Sequence, residues 1–204
     1  MEVGAGACYR DRMNAIPKLP PEQQMTIEEF LAFCAERPDG ERWELIEGVA
    51  IMNASPVQVH QLVVANIVAF LLAKKLESKA DWTPLLGVGT RVPVSPNSLP
   101  QPDVYVQAGQ ILDSPTTNDA VVLFEVLSRS NTKTDQEWRR RVYASIPNCQ
   151  HYVTVSLKRA EVVRYDRVDG WSGEKIAAIG GVLELLTLGV SVPLADIYRF
   201  TPLA

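Results

Sequence analysis

Cysteine, histidine and net positive charge are scarce in this sequence, and each shortage excludes a class of protein. Of the 204 residues, three are cysteine and two are histidine. Cys8, Cys34 and Cys149 are odd in number and irregularly spaced, which fits neither a disulfide framework nor a thiolate zinc site. We therefore expect free thiols and a reducing, cytoplasmic location.

The charge balance argues against a protein whose whole surface wraps nucleic acid. The formal net charge is −4 and the sequence pI is about 5.3, whereas nonspecific nucleic-acid binders are usually basic. A local basic groove remains compatible with these values.

Long apolar segments and common nucleotide motifs are also missing. The most apolar run, 62–73, is shorter than the roughly 20 residues that span a bilayer, so we expect a buried core helix and no membrane partner. The first residues lack the apolar core of a signal peptide. Neither a dinucleotide-binding glycine motif, nor a Walker loop, nor a G-x-S-x-G elbow is present.

The composition is that of one globular domain, with 47% hydrophobic and 22% charged residues. Residues 1–24 lack periodicity and contain three prolines, so we expect a flexible leader before a domain over 25–204. Thr26 and Glu29 form a T-x-x-E capping box, which predicts the start of the first helix.

The remaining pattern predicts an α/β fold, with one mixed central sheet and helices packed against it. Ala120–Leu127 is β-branched and apolar almost throughout, which is typical of a central strand. We predict helices over 60–79, 135–146 and 193–198, and further strands over 49–52, 85–94, 103–106, 151–155, 161–165 and 183–188.

Two strand carboxylates are the first candidates for chemistry. Asp103 opens a short strand after Pro102, and Glu125 interrupts the apolar run of the best strand. A buried carboxylate needs a partner, and if the two strands pair, both side chains can converge on one cation. The structural alternative is a carboxylate that an arginine neutralises, or one that points outward.

The following helix carries a polar face. Asp135, Arg139 and Tyr143 are spaced at i, i+4 and i+8 and so lie on one side. This face could border a phosphate site, or it could hold only a helix-stabilising salt bridge. Three consecutive arginines, 139–141, radiate in different directions, so one or two at most can meet a phosphate backbone.

Three other polar residues have open alternatives. His60 stands at the head of the apolar helix and is either a site residue or a helix-terminus residue. Glu44 and Glu47 flank an apolar pair before Gly48, so one can point into a site or both can lie on an exposed turn. His151 begins a strand, and we interpret it as structural.

These residues belong to five stretches that, in order, resemble the Uma-two family of restriction-endonuclease-like proteins, within the PD-(D/E)xK nuclease superfamily. The stretches are WELIEG at 43–48, SP-x-x-x-HQ at 55–61, QPDVYV at 101–106, LFEVLSRS at 123–130, and D-x-x-x-R-x-x-x-Y at 135–143 followed by HYVTV. The resemblance covers residues 25 to 200.

The resemblance implies a restriction-endonuclease-like core and a metal-dependent endonuclease that hydrolyses DNA phosphodiester bonds. Asp103 and Glu125 would hold Mg²⁺ (or Mn²⁺), with the backbone carbonyl of Val126 as a third contact. Glu44 or Glu47, His60, Asp135 and Tyr143 would line the site. DNA would be the partner, and a homo-oligomer such as a dimer is expected because two strands must be cut.

The sequence departs from the superfamily pattern at the lysine. Leu127 occupies the lysine position of E-x-K, and Arg139 stands where the family carries a lysine on the helix. Arginine can neutralise phosphate charge but stays protonated, and Lys133 is a possible substitute. Three hypotheses follow: a nuclease that uses Arg139 and Lys133, a catalytically weakened relative that binds nucleic acid or a protein partner, and an oligomer whose carboxylates are structural.

Overall fold

The computed structural model describes residues 16–128 and 131–204. Its helices are α1 (Ile27–Ala35), α2 (Gln58–Ser78), α3 (Lys133–Ala144) and α4 (Leu194–Ile197), with short 3₁₀ turns at Pro21–Gln23 and Leu186–Leu188. Its strands are β1 (Arg42–Ile46), β2 (Val49–Asn53), β3 (Trp82–Leu85), β4 (Gly89–Thr90), β5 (Val104–Ala108), β6 (Thr116–Thr117), β7 (Ala120–Leu127), β8 (His151–Ser156), β9 (Glu161–Asp166), β10 (Gly173–Ala177), β11 (Val182–Leu185) and β12 (Val190–Pro193).

One six-stranded mixed sheet organises the domain, in the order β10-β9-β8-β7-β5-β3. β7 and β8 run parallel, and α3 connects them as the helix of a βαβ unit. The other neighbours in this sheet pair antiparallel. β1 and β2 form a separate hairpin, and β11 and β12 form another. The predicted α/β class and the central position of β7 are confirmed.

The two faces of the sheet carry different helices because side chains alternate along each strand. One face presents buried valines and Phe124 to α2, whose own buried apolar residues are Val63, Val64, Ile67 and Leu71. The other face presents Tyr105, Leu123 and Tyr152 to Trp138, Val142 and Ile146 from the α3 region. By length and composition α2 could cross a membrane; in this fold one side of it packs against the sheet.

Local signals set several boundaries. The Thr26 hydroxyl accepts from the Glu29 N–H, and the Glu29 carboxylate accepts from the Thr26 N–H at 2.8 Å. The predicted capping box is therefore confirmed. Thr132 caps α3 in the same way by accepting from the Asp135 N–H.

Other element predictions were wrong in part. The strand predicted over 85–94 is divided, because β3 ends at Leu85 and only Gly89–Thr90 pairs again, with β6. Residues 183–188 leave the strand after Leu185 and form a 3₁₀ turn. β10 was missed because its residues are mostly exposed and lack an apolar alternation.

The structure describes only part of the predicted leader, and two of the three cysteines. Residues 1–15, with Cys8, lie outside the described residues, while Ile16 packs against the α3-side core and Gln24 accepts a hydrogen bond from Asn97. Cys34 and Cys149 are both free thiols. Burial raises the pKa of Cys149 to about 12, so this thiol stays protonated.

Candidate active site

Pairing of β5 with β7 brings the two candidate carboxylates together. Val104 lies opposite Phe124 in this antiparallel ladder, so extending the register by one position puts Asp103 opposite Glu125. Side chains at such positions have Cβ atoms about 5 Å apart. The N–H of Val126 donates to Oδ2 of Asp103 at 2.8 Å, which fixes the aspartate against β7.

His60 reaches the same aspartate from the first turn of α2. Its Nε2 lies 3.3 Å from Oδ2 of Asp103, and the residue is only 7% exposed. No hydrogen-bond partner for Nδ1 exists among the described residues. In the neutral tautomer that donates from Nε2 to Asp103, Nδ1 is therefore a buried acceptor.

Glu125 is buried and held through one of its two oxygens. Oε1 accepts hydrogen bonds from the Tyr143 hydroxyl at 2.8 Å and from Nη1 of Arg139 at 2.9 Å. In the described part of the chain, Oε2 accepts none. The strand position and the spacing of α3 together explain this contact, because Arg139 and Tyr143 lie one turn apart on the helix face above β7.

Arg139 is the central cation of the cluster. Its Nη2 donates to both oxygens of Glu44, at 2.9 and 3.1 Å, and its Nε lies 3.5 Å from Asp135. Glu44 also accepts from the N–H of Gln101 at 2.7 Å. β1 thus carries Glu44 to the site, and the segment before β5 runs beside β1 and holds this carboxylate there.

The electrostatics show an excess of negative charge. Burial, together with repulsion from Asp103 and Glu44, raises the pKa of Glu125 to about 8 in spite of the opposing effect of Arg139. Burial alone would raise the pKa of Glu44, but the charge and hydrogen bonds of Arg139 outweigh it and hold this pKa below its ordinary value. Tyr143 remains a phenol, since burial raises its pKa well above the ordinary range.

This donor set fits a magnesium ion better than a softer metal. Mg²⁺ often takes one or two carboxylates and completes its octahedron with water and phosphate, and Asp103 and Glu125 supply oxygen ligands where positive charge is deficient. No group of three or more His, Cys, Asp or Glu side chains able to hold a metal occurs in residues 16–128 and 131–204. Any further ligands there would come from main-chain carbonyls, water or substrate.

Two predicted site residues lie apart from these carboxylates. Glu47 accepts from Nε1 of Trp138 at 2.8 Å and from the Ser95 hydroxyl at 3.1 Å, and it bonds to neither Asp103 nor Glu125. Lys133 is exposed at the start of α3 and borders a surface hollow instead. Metal contact through the Val126 carbonyl and a catalytic role for Lys133 stay predictions.

Other members of the network were not singled out from the sequence. The Gln101 N–H is a main-chain donor, so no side-chain pattern could indicate it. Asn131 donates to Asp135 at 2.9 Å and so holds the carboxylate that faces Arg139. The T-x-x-D spacing of Thr132 and Asp135 is a capping signal that could have indicated where α3 begins.

Comparison with known proteins agrees with this architecture. The sequence model of the Uma2 family, described as "putative restriction endonuclease", matches residues 27–195. A solved structure from Anabaena variabilis ATCC 29413, described as a "putative nuclease belonging to DUF820", superposes with a TM-score of 0.68 at 14% identity, over 85% of this chain and 97% of that chain. No curated protein matches the sequence significantly. The chain therefore belongs to the Uma2 family and has a nuclease-like fold.

Proposed function

We propose that this protein is a metal-dependent endonuclease that hydrolyses DNA phosphodiester bonds. The observation that carries the proposal is the opposed pair Asp103 and Glu125, where β5 begins and β7 ends, with the pKa of Glu125 raised to about 8. A buried acidic pair with too little positive charge near it is suited to a divalent cation.

Asp103 and Glu125 would hold Mg²⁺ (or Mn²⁺), with the main-chain carbonyl of Val126 as the third protein contact. When bound, such an ion polarises the scissile phosphate and lowers the pKa of an attacking water. The protein's part is orientation: His60 and the Val126 N–H restrain Asp103, and Tyr143 restrains Glu125.

Arg139 positions the site in this proposal. A guanidinium stays protonated and cannot act as a base, and this one donates to Glu44 and Glu125 at once. It thereby limits the negative charge beside Glu125 and fixes one oxygen of that carboxylate. Asp135, held by Asn131, faces the Nε of Arg139 and supports the same arrangement.

A second candidate is a catalytically weakened relative that binds nucleic acid or a protein partner. Two observations favour it: Leu127 replaces the lysine of E-x-K, and the donors of Arg139 are engaged by buried carboxylates. Under this alternative the site would bind metal or phosphate without turnover. Replacing Arg139 by lysine would then raise activity from near zero.

The proposal includes a substrate, a location and an oligomeric state. DNA is the proposed substrate, the location is the cytoplasm, and the assembly is a homo-oligomer, most simply a dimer with one site for each DNA strand. Gel filtration with light scattering would measure that assembly. A monomer at all concentrations would contradict the dimer.

Plasmid cleavage with Mg²⁺ or Mn²⁺ tests the function. The unmodified protein is run beside Asp103→Asn, Glu125→Gln and the control Asp113→Asn, which changes an exposed carboxylate. Cleavage by the unmodified protein and the control, lost in both site variants, supports the nuclease. Cleavage that survives Asp103→Asn contradicts the metal site.

Absence of cleavage in every variant favours the weakened relative, and thermal melting then separates the remaining cases. A metal-dependent rise in melting temperature that Asp103→Asn abolishes indicates a metal site without turnover. An unchanged melting temperature indicates carboxylates that are only structural.

A further inference from the structure

A surface hollow lies between α3 and β9, on the helix that also carries Arg139 to the candidate active site. Its volume is about 180 Å³, and it is lined by Lys133, Gln136, Glu137, Arg140 and Tyr165. The four α3 residues are spaced at i, i+3, i+4 and i+7 and so share one face of the helix. The face next to it carries Asp135, Arg139 and Tyr143, which contact the acidic cluster.

Arg140 is fixed in this hollow by neutral groups. Its Nη1 donates to the carbonyl of Trp171 at 3.0 Å, and its guanidinium carbon lies 5.6 Å from the centre of the Tyr165 ring. No carboxylate of the described chain forms an ion pair with it. An arginine oriented without a counter-ion keeps its charge and its remaining N–H donors for an external anion.

Lys133 supplies a second cation on the same face. It is exposed, and no described carboxylate lies within ion-pair distance. Seven helical positions separate it from Arg140, which is roughly 10 Å along the axis, the axial length of about three phosphates on one DNA strand. Glu137 lies between them, so the hollow has a net charge of one positive unit in a protein of net charge −4.

We propose that this hollow binds backbone phosphate of the DNA strand that enters the active site, with Lys133 and Arg140 as its ligands. Phosphate chemistry fits better than base stacking, because Arg140 already covers the Tyr165 ring. The inference rests on the proposed function, since it supplies the flanking contacts for a strand cut at Asp103 and Glu125. It also explains how an acidic protein can hold a polyanion.

The salt dependence of DNA binding tests this directly. A fluorescent DNA duplex is titrated with the unmodified protein by anisotropy in EDTA, so that cleavage cannot interfere. Each lost phosphate contact lowers the slope of log K against log salt by about 0.9. For Lys133→Gln combined with Arg140→Gln we expect a slope that is smaller by about 1.8. The ratio of the unmodified protein's affinity to that of the double variant should therefore fall roughly 12-fold as salt rises from about 50 to 200 mM.

Two further variants control for folding and for total charge. Lys79→Gln removes an exposed lysine after the far end of α2, roughly 28 Å along the helix axis from His60, and should leave the slope unchanged. Arg140→Lys keeps the charge but loses the fixed geometry at Trp171 and Tyr165, so it should keep the slope while weakening binding. A purely structural role for Arg140 does not predict an unchanged salt slope together with weaker binding.

The outcomes separate this inference from the proposed function. If the unmodified protein binds DNA and the double variant shows the same slope, the hollow is not a phosphate site, although the nuclease proposal stands. If Lys79→Gln lowers the slope as much as either hollow variant does, binding is diffuse and the inference also fails. If the unmodified protein shows no salt-dependent binding, the hollow is not a phosphate site, whereas the nuclease proposal is decided separately by plasmid cleavage with metal.

Discussion

Replacing Arg139 by methionine should destabilise the protein more than almost any other single substitution in α3. Arg139 is 5% exposed and donates to Glu44 and Glu125. Methionine is unbranched and apolar, shorter than arginine and without charge, so the substitution leaves buried carboxylates without their cation. Glu125, with a pKa raised to about 8, can remain protonated near neutral pH, so the cost falls mainly on Glu44.

The expected magnitude follows from the burial of both partners. Glu44 is 3% exposed, and its remaining acceptor interactions cannot replace a guanidinium that contacts both oxygens. Breaking a buried ion pair on one side costs about 3–5 kcal/mol. For a domain of this size, that lowers the melting temperature by roughly 6–20 °C.

A double-mutant cycle measures the pair itself. Glu44→Leu is combined with Arg139→Met, and the free energy of unfolding is measured by urea titration for each protein. We expect the double variant to be clearly more stable than the sum of the two single losses predicts, because it leaves no unpaired charge at Glu44. Arg141→Met is the control, since that arginine is exposed and lies 3.9 Å from Glu47, and it should change stability by less than about 1 kcal/mol.

Additive losses in the cycle would refute this reasoning. They would mean that Glu44 and Arg139 do not interact in solution, or that Glu44 becomes protonated at no cost when the cation is removed. A loss in Arg141→Met as large as in Arg139→Met would show that burial of the pair does not determine the effect.

Three further outcomes are expected. In metal-free buffer between pH 4.5 and about 8, Glu125 keeps its proton in the folded state and has released it in the unfolded state. This group therefore lowers the free energy of unfolding by about 1.4 kcal/mol for each pH unit as pH rises. Glu125→Gln should remove that slope from melting curves, and an identical slope in both proteins would contradict the raised pKa. Thr26→Ala should cost about 1 kcal/mol in urea titration through the lost cap on Glu29, and an unchanged midpoint would show that the cap contributes nothing. Gly48→Ala should destabilise the β1–β2 hairpin by about 1 kcal/mol or more, since φ is +76° and the added Cβ would lie 2.4 Å from Cβ of Gln24; equal stability would mean that this turn relaxes freely.

The proximity of the two candidate carboxylates was predictable from the sequence, and the cation beside them was less so. Asp103 and Glu125 were identified from their positions in apolar strands, and the pairing of β5 with β7 brings them together. The spacing of Asp135, Arg139 and Tyr143 predicted their shared helix face. It could not show that Arg139 binds Glu44, a residue 95 positions away. It also could not show that Arg139 is the arginine that partly neutralises Glu125.

The choice between Glu44 and Glu47 shows where sequence information stops. Both flank the same apolar pair, and no local signal separates them. The structure separates them because β1 directs Glu44 toward Arg139, while Glu47, at φ 49°, turns away to Trp138 and Ser95. Lys133 was predicted to lie in the loop before the helix, but the structure places it at the start of α3, where it lines the surface hollow beside Arg140.

The sequence by itself determined the class of fold, the central strand, the cap at Thr26 and the two candidate carboxylates, because these depend on near neighbours and on the alternation of polar and apolar residues. It misplaced the strand at 85–94, where Gly89–Thr90 pairs with the separate segment Thr116–Thr117, and it missed the strand at 173–177, whose exposed side chains carry little pattern. Only the tertiary structure decided which charges meet. The raised pKa of Glu125 and the ion pairs of Arg139 arise from burial and from charged groups on separate helices and strands. These groups are far apart along the chain, so local sequence patterns cannot predict them.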